Sequence, residues 1–117
     1  MTFYDRNGKP IAYTEDSIHI YLYSGKPVAY IDNDAVYGFN GKHMGWLENG
    51  WIRDHKGACV FFTENASGSG PMKPLKQLKP LKSLKQLKPL KSLKEMKRTK
   101  ALNQQAWSHL SGEAFFQ

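Results

Sequence analysis

The sequence predicts an all-β domain, a meander of four repeated two-stranded hairpins with pseudo-four-fold symmetry. A polyproline-II-like Lys/Leu/Pro tail and a short C-terminal helix are expected to follow. Three observations lead there. Gly8, Gly25, Gly41 and Gly57 recur every 16 or 17 residues, each after a turn-forming or polar residue. Apolar and aromatic side chains keep fixed offsets from each glycine. Beyond residue 73 the chain adopts a three-residue period of Pro, Gln or Ser, then Leu, then Lys. Such self-similarity is the mark of a fold built from one repeated unit.

The hairpins come first. The segments FYDRNGKPIAY, IYLYSGKPVAY, VYGFNGKHMGW and IRDHKGACVFF align on their glycines. Asn7-Gly8 and Asn40-Gly41 between apolar runs suggest type I′ turns, which need positive φ at both central residues. Phe3, Ile20, Val36 and Ile52 stand five residues before the glycines. Ile11, Val28, Met44 and Val60 stand three residues after, and Tyr13, Tyr30, Trp46 and Phe62 five after. A strand period of two puts those last two sets on one face. Between them lie Ala12, Ala29, Gly45 and Phe61; the three small ones suggest close approach of another backbone, a pattern Phe61 breaks. The connectors at residues 14–17, 32–34 and 48–50 are short, polar and hairpin-compatible. The expected domain is residues 1–64, with eight short antiparallel strands and the four glycines at turn tips.

The phrases NGKPIAY, SGKPVAYID and VYGFNGKHMGWLENGWIRDHKG resemble the bacterial 4-fold beta flower family over about residues 1–63, and the tail is similar too. The resemblance implies that architecture. It carries no activity and no functional residues with it.

Charge and composition divide the 117 residues. Residues 1–66 hold 6 basic and 8 acidic residues, whereas residues 67–117 hold 11 basic and 2 acidic, within a net charge of +7. The Gly/Ser stretch at 65–72 reads as a flexible linker. The triplet repeat runs over 73–98 and a docking segment over 99–117. A three-residue period is that of polyproline II, and Pro74, Pro80 and Pro89 oppose an α-helix. All leucines then share one edge and all lysines another. A disordered basic tail is the plain alternative, and a helix past residue 90 a further one. An apolar edge this long is expected to be buried. Fully extended, the 24 triplet residues would span about 74 Å. A globule of this size is about 30 Å across. The tail therefore bends around its own domain or reaches a neighbouring copy, and part of it is expected to do the latter. Leu102, Ala106 and Leu110 are spaced for a short helix over 100–110, with Thr99 as its cap. Trp107 and Phe115-Phe116 look like an anchor for the chain end.

Little of this is chemistry. One cysteine excludes an internal disulfide framework. His19, His43, His55, His109 and Cys59 are the candidate metal ligands. His43 and Cys59 sit two residues after their glycines, where Pro10 and Pro27 stand in the other repeats, and two ligands do not make a zinc site. Cys59 with His55 across the Lys56-Gly57 turn is the nearest thing to a nucleophile and base, but Asp54 lies on the wrong side to orient it. Asp5 and Asp54 occupy equivalent places and read as turn supports. No phosphate loop, nucleophile elbow or dinucleotide fingerprint occurs.

The reading is of a non-catalytic binding or assembly module with no cofactor and no metal. It meets copies of itself or another protein through Leu75, Leu78, Leu81, Leu84, Leu87, Leu90 and Lys76, Lys79, Lys82, Lys85, Lys88, Lys91. The alternative is sequence-independent binding of nucleic acid or an anionic membrane surface through the lysines. The tail has no aromatics for base stacking, and the acidic first half is a simpler partner for its lysines. A small enzyme is the remaining reading, which a pocket gathering His, Cys and Asp would favour. With no signal peptide or membrane span visible, a cytoplasmic location is expected.

Overall fold

A computed structural model describes residues 1–110 and 112–117. The eight strands are β1 Thr2–Tyr4, β2 Pro10–Tyr13, β3 His19–Leu22, β4 Pro27–Asp32, β5 Ala35–Tyr37, β6 His43–Glu48, β7 Trp51–Arg53 and β8 Cys59–Phe62. Each pairs antiparallel with the next, and β8 returns to β1 through Phe62 and Tyr4, closing a barrel. The four hairpins β1–β2, β3–β4, β5–β6 and β7–β8 are four petals with one register. Phe3 faces Ala12, Ile20 faces Ala29, Val36 faces Gly45 and Ile52 faces Phe61. The molecule is a disc of 35 × 35 × 22 Å.

Petal tips differ from the expected type I′ turn. Only the glycines have positive φ there, from 80° at Gly8 to 94° at Gly25; Asn7, Ser24, Asn40 and Lys56 do not. In petal one Gly8 N–H donates to Asp5 C=O, and Asp5 N–H to Lys9 C=O, both at 2.9 Å. This is a three-residue loop, in which an ordinary turn is closed by one left-handed residue. The Asn-Gly pair with two positive φ values, 50° and 81°, is Asn49-Gly50 in the connector between β6 and β7.

The face assignment also needs correction. In each petal the register skips one residue on the second strand, so Tyr4 faces Pro10 although Phe3 faces Ala12. The extra residue is Ile11, and by the same shift Val28, Met44 and Val60. A bulge of this kind turns the side chain out of alternation. These four pack on the inner cluster with Phe3, Ile20, Val36 and Ile52, whereas Tyr13, Tyr30 and Phe62 belong to separate outer clusters.

The small residues and Phe61 share one explanation. Ala12, Ala29 and Phe61 are fully buried in the inner cluster. Phe61 stacks on Phe116 at 5.5 Å and meets Phe115 edge-on at 5.8 Å. Three small side chains leave room for one large ring and the chain end that plugs it. At Gly45 a Cβ would also collide with the Arg53 carbonyl of the adjacent strand. The plug is a 3-10 helix, Gly112–Phe116. Among the described residues no α-helix forms over 100–110 or from residue 90 onward; before the plug the chain stays extended because its backbone groups bond to the petals instead.

Candidate functional site

The tail is a belt around the barrel. Gln77, Gln86, Glu95 and Gln104 donate their backbone N–H to the carbonyls of Gly8, Gly25, Gly41 and Gly57 at 2.8–3.0 Å. One belt contact thus recurs every nine residues, three triplets per petal. Ser83 and Ser92 add bonds to Tyr23 and Phe39 at 2.9 and 2.8 Å. Nine residues of polyproline II advance about 28 Å, and a quarter of a circle 35 Å wide is about 27 Å. That match removes the conflict between a 74 Å tail and a small domain. The tail encircles its own barrel.

Lysines form the edge that grips. Lys76, Lys85 and Lys94 lie over the rings of Tyr4, Tyr21 and Tyr37, and Lys82 and Lys91 over Tyr13 and Tyr30, at 4.3–6.0 Å. The ammonium groups stay in solvent, so each contact is of the weak, exposed kind and the grip comes from their repetition. Glu15 takes Lys82 and Lys85, Asp32 takes Lys94, Glu48 takes Lys100 and Glu64 takes Lys79. Each of these carboxylates stands seven residues after its petal glycine, a regularity present in the sequence that the hairpin reading passes over.

Leucines form the opposite edge, and the chain's own barrel does not bury them. Leu75, Leu78, Leu81, Leu84, Leu87, Leu90, Leu93 and Met96 are 91–96% exposed. Backbone bonds and lysine stems already occupy the side of the belt that faces the barrel, so the apolar edge is left pointing out. Within the candidate set, Lys76, Lys79, Lys82, Lys85 and Lys91 therefore touch the barrel with their side chains, and the six leucine side chains do not.

The linker is a fastening. Trp51 Nε1 donates to Ser67 C=O at 2.9 Å, Ala66 is buried, and a Cβ on Gly70 would strike the Trp51 indole. Arg53 takes the place that Tyr4, Tyr21 and Tyr37 hold in the other petals. Its buried guanidinium donates to Ser69 C=O at the start of the belt and to Gln104 C=O at its end. Past that clasp Cys59 N–H bonds Ala106 C=O and Ser108 N–H bonds Cys59 C=O, while Trp107 packs on Trp51 and Phe62.

The chemical candidates separate. Cys59 is fully buried, and burial pushes its thiol up to about 11, away from thiolate chemistry. Asp5 Oδ1 accepts the N–H groups of Asn7 and Lys9, and Asp54 Oδ1 those of Lys56 and Ala58; Ser108 Oγ bonds Asp54 Oδ2. His19 pairs with Asp16 at 2.6 Å. His43 meets His55, with Nδ1 to Nε2 at 3.2 Å, rather than Cys59. Burial, then the neighbouring imidazole, lowers the pKa of His43; burial, then Arg98, lowers that of His55. No group of three His, Cys, Asp or Glu residues placed to hold a metal occurs among the described residues.

A belt in register with four petals thus covers a closed eight-stranded barrel. A family model described as 4-fold beta flower protein matches residues 1–116. The chain belongs to the 4-fold beta flower family. The match takes in the belt and the plug as well as the barrel, so the flower unit is the whole wrapped disc. No curated protein and no solved structure matches the chain. No helix among the described residues is long and apolar enough to cross a membrane.

Proposed function

We propose that this beta flower is a non-catalytic assembly module of the cytoplasm whose partner is another copy of the chain, met through the leucine edge of the belt. One observation carries the reading: eight apolar side chains stand almost fully exposed on a backbone pinned at every petal. Burying a leucine is worth ~1.5–3 kcal/mol at ~25 cal/mol per Å², or about 60–120 Å² apiece, so eight present about 500–1,000 Å². The largest apolar patch of an ordinary monomer is about 300–600 Å². A stable interface takes about 800 Å² from each partner. Because the edge repeats with the petals, an arc on one disc is a match for an arc on the next. The test is the mass in solution of the full chain beside a variant with Leu81, Leu84 and Leu87 all changed to Ser. The parent is expected above monomer mass and the variant at it. A monomeric parent at high micromolar concentration would sink self-assembly.

A net charge of +7 favours a second reading, binding of nucleic acid or an anionic surface. Carboxylates on the barrel engage Lys79, Lys82, Lys85, Lys94 and Lys100, which leaves fewer free cations for phosphates. Oligonucleotide binding that ignores sequence and collapses with salt would support this reading.

A further inference from the structure

Four departures from the four-fold repeat converge at one place. His43 stands where petals one and two have Pro10 and Pro27. His55 stands where they have Arg6 and Tyr23. On the belt, Glu95 replaces the glutamines at 77, 86 and 104, and Arg98 replaces Pro80 and Pro89. All four line one cavity of about 280 Å³ between petal three, the tip of petal four and the C-terminal plug. Two of the changes are matched. A proline has no N–H; His43 does, and Glu95 Oε1 accepts it at 2.8 Å.

Neither Arg98 nor Lys42 joins any ion pair found among the described residues, although five belt lysines do. Glu95 is already turned to the His43 backbone. The imidazole of His43 is buried against Trp46 and Tyr37, and its Nε2 has no hydrogen-bond partner. Met44, Leu110 and Phe115 supply an apolar wall.

We propose that this cavity binds a small organic monoanion, its carboxylate toward Arg98, Lys42 and the His43–His55 pair and its apolar group against Met44, Leu110 and Phe115. Ligand cavities commonly measure about 300–1,000 Å³, so a ligand of this site is small. A charge-assisted hydrogen bond to an arginine is the strong kind, and an unpaired guanidinium at a pocket rim is free to make it. The groups facing the histidine pair are Arg98 and Lys42 on the cationic side and Glu95, Asp54, Tyr37 and the terminal carboxylate at Gln117 on the other. An added anion raises the proton affinity of both rings. Burial holds both rings below the ordinary imidazole value, so affinity strengthens as pH falls below about 6.5, where they begin to take up a proton.

The probe is benzoate, titrated into the full chain with the histidine ring resonances followed by NMR. Saturable shifts of His43 and His55, tighter at the lower pH, are expected. Arg98→Pro installs the residue that two other belt turns carry, and it should weaken binding about tenfold to a hundredfold. Arg98→Gln serves the same purpose if the proline variant fails to fold. His43→Pro with Glu95→Gln restores the combination of petals one and two and should abolish the shift of the remaining His55 ring. The proposal falls if benzoate leaves both rings unmoved at millimolar concentration, or if the arginine variants bind like the parent. Equal binding of inorganic phosphate overturns the apolar half of the site. A response to zinc alone, with benzoate silent, replaces an anion site by a metal site.

Discussion

Glycine at the four petal tips satisfies two constraints with one atom fewer. Its φ lies in the left-handed region, and a Cβ there would collide with the carbonyl oxygen of Leu75, Leu84, Leu93 or Leu102 on the belt. The turn alone explains the first constraint; the second is invisible until the belt is in place. Gly25→Ala should cost about 1–2 kcal/mol for the left-handed backbone, plus the displaced belt. Chemical denaturation gives the total, and faster hydrogen exchange at the Gln86 amide marks the lost bond. Phe61→Ala should cost about 3–5 kcal/mol, because it empties the middle of the barrel and loosens the Phe115-Phe116 plug. Cys59, with its thiol held near 11, should resist alkylation at neutral pH in the folded protein and react once denatured.

As an element, the belt has no hydrogen bonds of its own kind and depends on what it grips. Hydrogen bonds from Lys85 and Lys82 hold Glu15 down from its ordinary 4.5 to about 2, and Lys94 lowers Asp32 in the same way. A carboxylate with a depressed folded pKa stabilises fully above its unfolded value and loses that contribution as pH falls through the folded one. Thermal stability should therefore decline between about pH 4.5 and pH 2, by a small amount that added salt reduces, since these pairs are solvent-exposed. The leucines touch nothing within the disc, so the triple serine variant should unfold within about 0.5 kcal/mol of the parent when both are monomeric. Much of the element scale was legible in the sequence. The glycine spacing places eight strands, and the three-residue period puts all leucines on one edge. The bulges at Ile11, Val28, Met44 and Val60 were not legible, because strand alternation is an average that one inserted residue overturns. Nor was the direction of the leucine edge. Amphipathicity says that two edges differ, but not which of them a neighbouring layer of tyrosines and carboxylates will take. The carboxylates at 15, 32, 48 and 64 held that answer. The site in petal three was half legible: His43 stood out, whereas Glu95 and Arg98 become departures only when the belt is read in nines.

At the scale of the whole molecule, two concentric layers share one symmetry. The inner layer is Phe3, Ile20, Val36, Ile52 and Phe61; the outer is the tyrosine ring that the belt covers. A barrel of about 60 residues buries only about 60% of its unfolded surface and is marginal alone. Ending the chain after Gly70 should expose Tyr4, Tyr13, Tyr21, Tyr30 and Tyr37 and remove the plug. The shortened chain should melt well below the parent and bind a hydrophobic dye; a shortened chain as stable as the parent would show that the belt is only decoration.

The clasp at Arg53 has a consequence for how such a molecule changes over generations. Both ends of the belt are fixed to one petal, so the belt's length is set by the perimeter it must cover. A loop between strands can gain or lose a residue with little effect elsewhere. A belt cannot, since a single insertion shifts every later leucine into the tyrosine layer and every later lysine away from its carboxylate. Even a three-residue insertion, which keeps each edge in place, misses the next glycine. Growth by a petal requires about 16 residues in the first half of the gene and nine in the second, acquired together. Two distant stretches of coding sequence are thereby tied to a common petal number, and the interior drifts far more freely than the count.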